Sequence, residues 1–158
     1  MNRGIIEQYE QAAGKLRQAI AGLSREELLA RPDAQSWSIQ QIVLHLMDSD
    51  LIWTERAKRM IAEENPTLMA FDESRFAERL GYDEQSAEDA VRIFELNRKM
   101  FARVLRKLDD ATFQRTGEHS ERGTIRLGES LESIVRHVEH HLEHLLEKRA
   151  KVAKTRTE

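Results

Sequence analysis

The chain contains no cysteine. That excludes a disulfide framework and thiolate metal ligands, so a transition-metal site here must be built from His, Asp or Glu. Proline and glycine are scarce, two and seven in 158 residues, which favours long helices with few breaks. No stretch approaches the ~18 apolar residues of a membrane span. Met1 to Gly22 is too charged for the apolar core of a signal peptide. A basic surplus is missing too: the formal net charge is −3, which gives no electrostatic footprint for nucleic acid. The expectation is one soluble cytoplasmic domain over 1–151 with a polar frayed tail at 152–158, and neither membrane nor nucleic acid as partner.

What is present is helical periodicity. Ile5, Tyr9, Ala12, Leu16, Ala19 and Leu23 mark a first helix from about Asn2 to Gly22. Ser24 with Glu27 forms a capping box for a short helix that Pro32 ends. Ser38 and Gln41 cap the next helix, with Trp37 and Ile42 placed as a hydrophobic staple. Its core stripe runs through Ile39, Val43, Leu46, Trp53, Ala57 and Met60 to about Glu64. Asn65-Pro66 breaks it, and Thr67 to Tyr82 reads as an irregular excursion with a short helix near Glu73–Leu80, stopped by Gly81. Ser86 and Asp89 open a helix to about Leu108, with Val104 on its apolar stripe and Asn97 there as a hydrogen-bonded amide. Asp109 to Gly128 is a long connection in which Thr124–Leu127 reads as extended, and a last helix spans about Gly128 to Lys151.

Four of the six histidines fall within His137-Val138-Glu139-His140-His141-Leu142-Glu143-His144. Residues three and four apart share a helix face. At ~100° per residue, His141 lies ~70° and His137 ~110° from the core stripe of this helix, against ~130° for His144 and ~170° for His140. His45 lies ~100° from the stripe of its own helix, at the rim of the core face. Two such helices packed side by side would bring His45, His137 and His141 together at one edge of the core. Three neutral imidazoles suit Zn²⁺, Ni²⁺ or a similar ion, and a three-ligand site leaves a position open for water or substrate. Such an ion would acidify a bound water or thiol, or polarise a substrate oxygen. Asp48, Asp50, Glu139 and Glu143 are candidate partners for the second ring nitrogens. Arg56, at ~20° from His45 on the same helix, could pair with an anionic substrate or make an ordinary salt bridge. Asp50 projects near the apolar stripe, so burial would oblige it to find a partner. His119 is either a solvated loop residue or part of an ordered loop covering a site. No residue stands out as general base. A solvated, histidine-rich face is the alternative to the metal site.

These residues resemble the DinB-like metalloenzymes, especially the YfiT branch that includes bacillithiol S-transferases. Trp37 to Ser49 is similar to that branch's second-helix motif, and Arg56 falls where the family often has an arginine. Glu63-Glu64-Asn65-Pro66-Thr67 with Phe71-Asp72-Glu73 is similar to the following loop, and His137 to His144 to the C-terminal histidine motif. Two positions depart: Ser120 follows His119 where relatives often have proline, and Arg126 stands where a capping Thr is common. The resemblance implies an all-α, antiparallel four-helix bundle with short extra helices and a long loop before the last helix, often dimeric. It implies a metal held by His45, His137 and His141, and catalysis either as a hydrolase or as transfer of a low-molecular-weight thiol to an electrophile. Asp48 and Arg56 are the candidate catalytic residues. Without an open coordination position, the same bundle would instead be a binding module with a structural metal or none.

Overall fold

The computed structural model describes residues 3–31 and 36–155. Six helices are present among them: α1 (Gly4–Ile20), α2 (Arg25–Leu29), α3 (Ile39–Ala62), α4 (Glu73–Arg79), α5 (Ala87–Leu105) and α6 (Leu127–Thr155). The N-terminal signals act as read. Ser24 with Glu27, and Ser38 with Gln41, each form both bonds of a capping box. Ser86 accepts from the backbone at the start of α5, and Asp72, not singled out as a cap from the sequence, does the same at the start of α4. Pro32 lies outside the described residues.

Two expectations need correction. Helix α6 does not fray after Lys151: it continues to Thr155, and Val152, seven residues after Leu145 on the same face, is buried. Residues 156–158 lie outside the described part. Val104 is exposed rather than on the α5 core stripe, because α5 turns Phe101, Ala102 and Leu105 inward. The connection before α6 is ordered: a 3-10 turn at Thr112–Gln114 leads into a hairpin of β2 (Thr116–His119) and β3 (Gly123–Arg126). The two-residue strand β1 (Thr67–Leu68) joins the free edge of β2 in parallel.

Four long helices, α1, α3, α5 and α6, form the bundle, with α5 and α6 each seated between α1 and α3. Their bonds give the directions. Trp53 donates to Ser130 while His45 meets His137, so α3 and α6 are antiparallel. Arg17 pairs with Glu95 while Arg106 pairs with Glu7, so α1 and α5 are antiparallel. Gln40 reaches the Gln85 carbonyl just before α5 and Asn97 reaches Thr54, so α3 and α5 run the same way. That parallel pair requires the chain to return along the bundle between them. Residues 63–86, carrying β1 and α4, make this return and pass over α3 beside His45.

The core is divided. One apolar cluster gathers Leu16, Leu44, Leu46, Phe94 and Leu142, the other Tyr9, Trp53, Phe101, Phe113 and Leu131. Near their junction lies a fully buried ion pair, Arg98 Nε to Asp50 Oδ1 at 2.8 Å. Asn97 donates to the other Asp50 oxygen at 2.7 Å and Arg98 donates to the Tyr9 carbonyl at 2.7 Å. The Arg98 guanidinium also lies 4.3 Å from both the Tyr9 and Phe94 ring centres. Asp50 thus has the partner that burial demands. No described helix is long and apolar enough to cross a membrane.

Candidate metal site

His45 sits two turns into α3, behind the Ser38 cap, and His137 and His141 are successive-turn neighbours on α6. The antiparallel packing of α3 on α6 brings one nitrogen from each ring within 4.8 Å of the others. His45 Nε2 faces His137 Nε2 at 3.1 Å. Trp37 closes the cluster, edge-on to His45 with ring centres 4.9 Å apart and stacked over His141 at 6.5 Å. His45 is fully buried, deeper than the rim position that its angle implies. The cause is that α3 is covered on several sides at once, by α5, α6, α2 and α4. His137 and His141 are half-buried, while His140 and His144 are exposed, in the order that the helical angles give.

The electrostatics suit a cation ligand set. Burial, and then the neighbouring His137 and His141, push the His45 imidazole down to about 3. Burial and His141 take His137 down to about 4, and burial with His140 takes His141 down to about 4. All three are therefore neutral near pH 7 and carry a lone pair without having to expel a proton. His137 Nδ1 is buried without a hydrogen-bond partner among the described residues. A divalent metal fits this donor set, being the arrangement in which facing neutral nitrogens are all satisfied as acceptors.

A cavity of about 290 Å³ opens beside His137, lined among others by Arg56, Phe71, Glu73, His119 and Arg122. Glu73, at the start of α4, places Oε2 3.9 Å from His45 Nε2. Burial holds its carboxyl above the usual range, opposed by Arg122 and reinforced by Asp72. His119 is buried at the end of β2, so the solvated-loop reading gives way to the covering-loop one. Its Nδ1 accepts from the Glu121 amide at 3.3 Å, which leaves the proton of the neutral ring on Nε2. Asp48 is elsewhere: it accepts from the Tyr82 hydroxyl at 2.5 Å and does not line this cavity. Asp50 belongs to the core pair with Arg98, and Glu139 and Glu143 are exposed. Where the sequence departs from the family pattern the structure is locally satisfied. Ser120 Oγ accepts from the Ala70 amide at 2.9 Å, and Arg126 pairs with Glu129 at 2.7 Å.

Sequence reasoning missed Glu73, Arg122, Trp37 as a wall of the site, and Arg98. Trp37 and Glu73 stood in the segments that resemble the family, without a site role, and Arg98 occupies a core position between Phe94 and Phe101, on the helix facing the buried Asp50.

The family model of the DinB superfamily matches residues 8–145. A protein of Oceanobacillus iheyensis, named as a metal-dependent hydrolase by inference, is 30% identical over 140 residues, 89% of this chain and 81% of its own length. A similarly named protein of Halalkalibacterium halodurans is 25% identical over 140 residues, 89% of this chain and 81% of its own. Among solved structures, YfiT from Bacillus subtilis, described as a probable metal-dependent hydrolase with an unusual four-helix bundle topology, aligns with a TM-score of 0.89. It is 25% identical, over 95% of this chain and 86% of that one. The chain belongs to the DinB superfamily and is YfiT-like in sequence and fold.

Proposed function

We propose that this protein is a metal-dependent enzyme in which His45, His137 and His141 hold a divalent ion, zinc or nickel, and in which a small external nucleophile is activated. The nucleophile is a low-molecular-weight thiol passed to an electrophile, or water in a hydrolysis. The observation that carries this reading is the convergence of three neutral imidazoles beside a cavity large enough for a small molecule. A chain without cysteine has no thiol nucleophile of its own, which supports the thiol form. The names of the relatives support the hydrolytic form. Three protein ligands, rather than four, favour an enzyme over a structural site.

When bound, the ion supplies Lewis acidity, which keeps a thiol or water deprotonated near neutral pH and polarises a substrate oxygen. The protein supplies the rest. Trp37 fixes the rings of His45 and His141 and keeps water off their faces. Glu73 Oε2 accepts the proton of the incoming nucleophile, and its raised basicity suits that task. His119 offers Nε2–H as a donor inside the cavity.

The test is turnover by protein loaded with zinc or nickel, in two panels: small thiols with an electrophile, and esters or amides in water. Glu73→Gln is expected to lower kcat by about 10²–10⁴-fold while metal content stays at the wild-type level. No metal-dependent turnover in either panel, or a Glu73→Gln variant as fast as wild type, would count against it.

A further inference from the structure

Two arginines line the cavity beside the imidazoles, Arg56 from α3 and Arg122 from the turn between β2 and β3. Neither forms an ion pair among the described residues. Arg56 spends one Nη2 bond on the Met69 carbonyl, and its Nε is buried without a partner. Of the cavity carboxylates, Glu129 pairs with Arg126, and Glu73 is turned to His45 while it also feels the Arg122 charge. Burial and the nearby Arg122 charge pull the Arg56 guanidinium below its ordinary range, against the exposed Glu55 and Glu121, which oppose the shift. Two cations facing one cavity, Arg56 half-buried and Arg122 exposed, repel each other, and a buried donor without an acceptor is costly. Both costs vanish when an anion with paired oxygens sits between the guanidiniums.

We infer that the cavity takes a small substrate or co-substrate carrying an oxyanion group, a carboxylate or a phosphate, bound between Arg56 and Arg122 with its reactive end toward His45, His137 and His141. Arg56 follows His45 by eleven residues, or ~16 Å along α3 at ~1.5 Å per residue. The two lie on nearly the same face, and an arginine side chain leans back toward the N-terminus of its helix. The guanidinium therefore stands on the order of 10 Å from the His45 ring. The ligand is a short molecule whose anionic group and reacting atom are separated by that span. This substrate class rests on the metal-enzyme reading above, but the anion site itself needs no metal.

The experiment measures equilibrium binding of succinate, inorganic phosphate and the neutral succinamide to metal-stripped protein by titration calorimetry. Wild type, His140→Ala, Arg56→Gln and Arg122→Gln are compared, with circular dichroism as a folding check. Succinate or phosphate is expected to bind wild type and His140→Ala, whose changed residue is exposed and outside the site, alike, and at least about tenfold more weakly to each arginine variant. Succinamide is expected not to bind. The tighter of the two anions identifies the group, since guanidinium accommodates both. Arg122 lies on an exposed turn, so its variant keeps the test valid if Arg56→Gln fails to fold. Anion binding unchanged in Arg122→Gln, equal binding of succinamide, or no anion binding to wild type would overturn the inference. Anion binding retained by protein that takes up no metal would instead sink the enzyme reading and leave this site standing.

Discussion

A histidine taken out of water and set beside other histidines holds its proton less tightly than a free one. That is the position of His45, His137 and His141, pushed to about 3, 4 and 4 by burial first and by neighbouring histidines second. In the unfolded chain each titrates near ~6.5. Above that value both states are neutral at these sites, and the three groups contribute no pH dependence. As the pH falls from ~6.5 toward ~4, the unfolded chain takes up protons that the folded, metal-free chain refuses. Stability therefore drops across that window, each group adding up to about 1.4 kcal/mol per pH unit. Urea unfolding of stripped protein between pH 7 and pH 4 should show that slope, and His45→Gln should flatten it. An unchanged slope in the variant would mean that His45 titrates normally. The trio could be picked out in the sequence because an angle on a helix depends only on spacing. The depth of His45 could not, because it depends on how many neighbours cover α3. The site roles of Glu73 and Arg122 were hidden for a related reason: both reach the site from segments whose path only the folded bundle defines.

At the scale of elements, the helices were legible wherever a capping residue met an apolar period. Ser24, Ser38 and Ser86 all cap as their side-chain chemistry requires. The small sheet was not, apart from the piece at Thr124–Leu127. Its strands are two to four residues long, too short for a period of two to stand out. Gly117 holds this sheet against the excursion after α3. A Cβ added there would lie 2.8 Å from Leu68 Cδ1 and 3.1 Å from the Pro66 carbonyl oxygen. The Glu118 amide also donates to that carbonyl at 2.9 Å, so the carbonyl has little room to move. Gly117→Ala is expected to force β1 from β2, cost about 1–3 kcal/mol, and shift His119 away from the cavity. Denaturant midpoints and the His119 ring resonances check both. A variant as stable as wild type with unmoved resonances would show that Leu68 yields without disturbing the strand pairing.

For the whole molecule, helix periodicity and the family likeness lead to an antiparallel four-helix bundle but do not give the relative direction of α3 and α5. The return of residues 63–86 makes α3 and α5 parallel and lays Glu73 over His45. Inside the bundle, the Asp50–Arg98 pair joins α3 to α5, with Arg98 also bonded to α1. Removing one member leaves the other charged and buried, so Asp50→Ala is expected to cost about 3–5 kcal/mol. Asp50→Ala combined with Arg98→Met should recover much of that loss, since an apolar pair needs no compensation. A double variant no more stable than Asp50→Ala would assign the loss to Asn97 and Thr54 instead. The central claim, that this bundle assembles one metal centre from two helices, is tested most directly by elemental analysis of tag-free protein after incubation with zinc or nickel. Wild type and His140→Ala are predicted to hold one ion per chain, with His45→Ala, His137→Ala and His141→Ala holding none. Metal-free wild type, or equal losses from His140→Ala and His141→Ala, would contradict it.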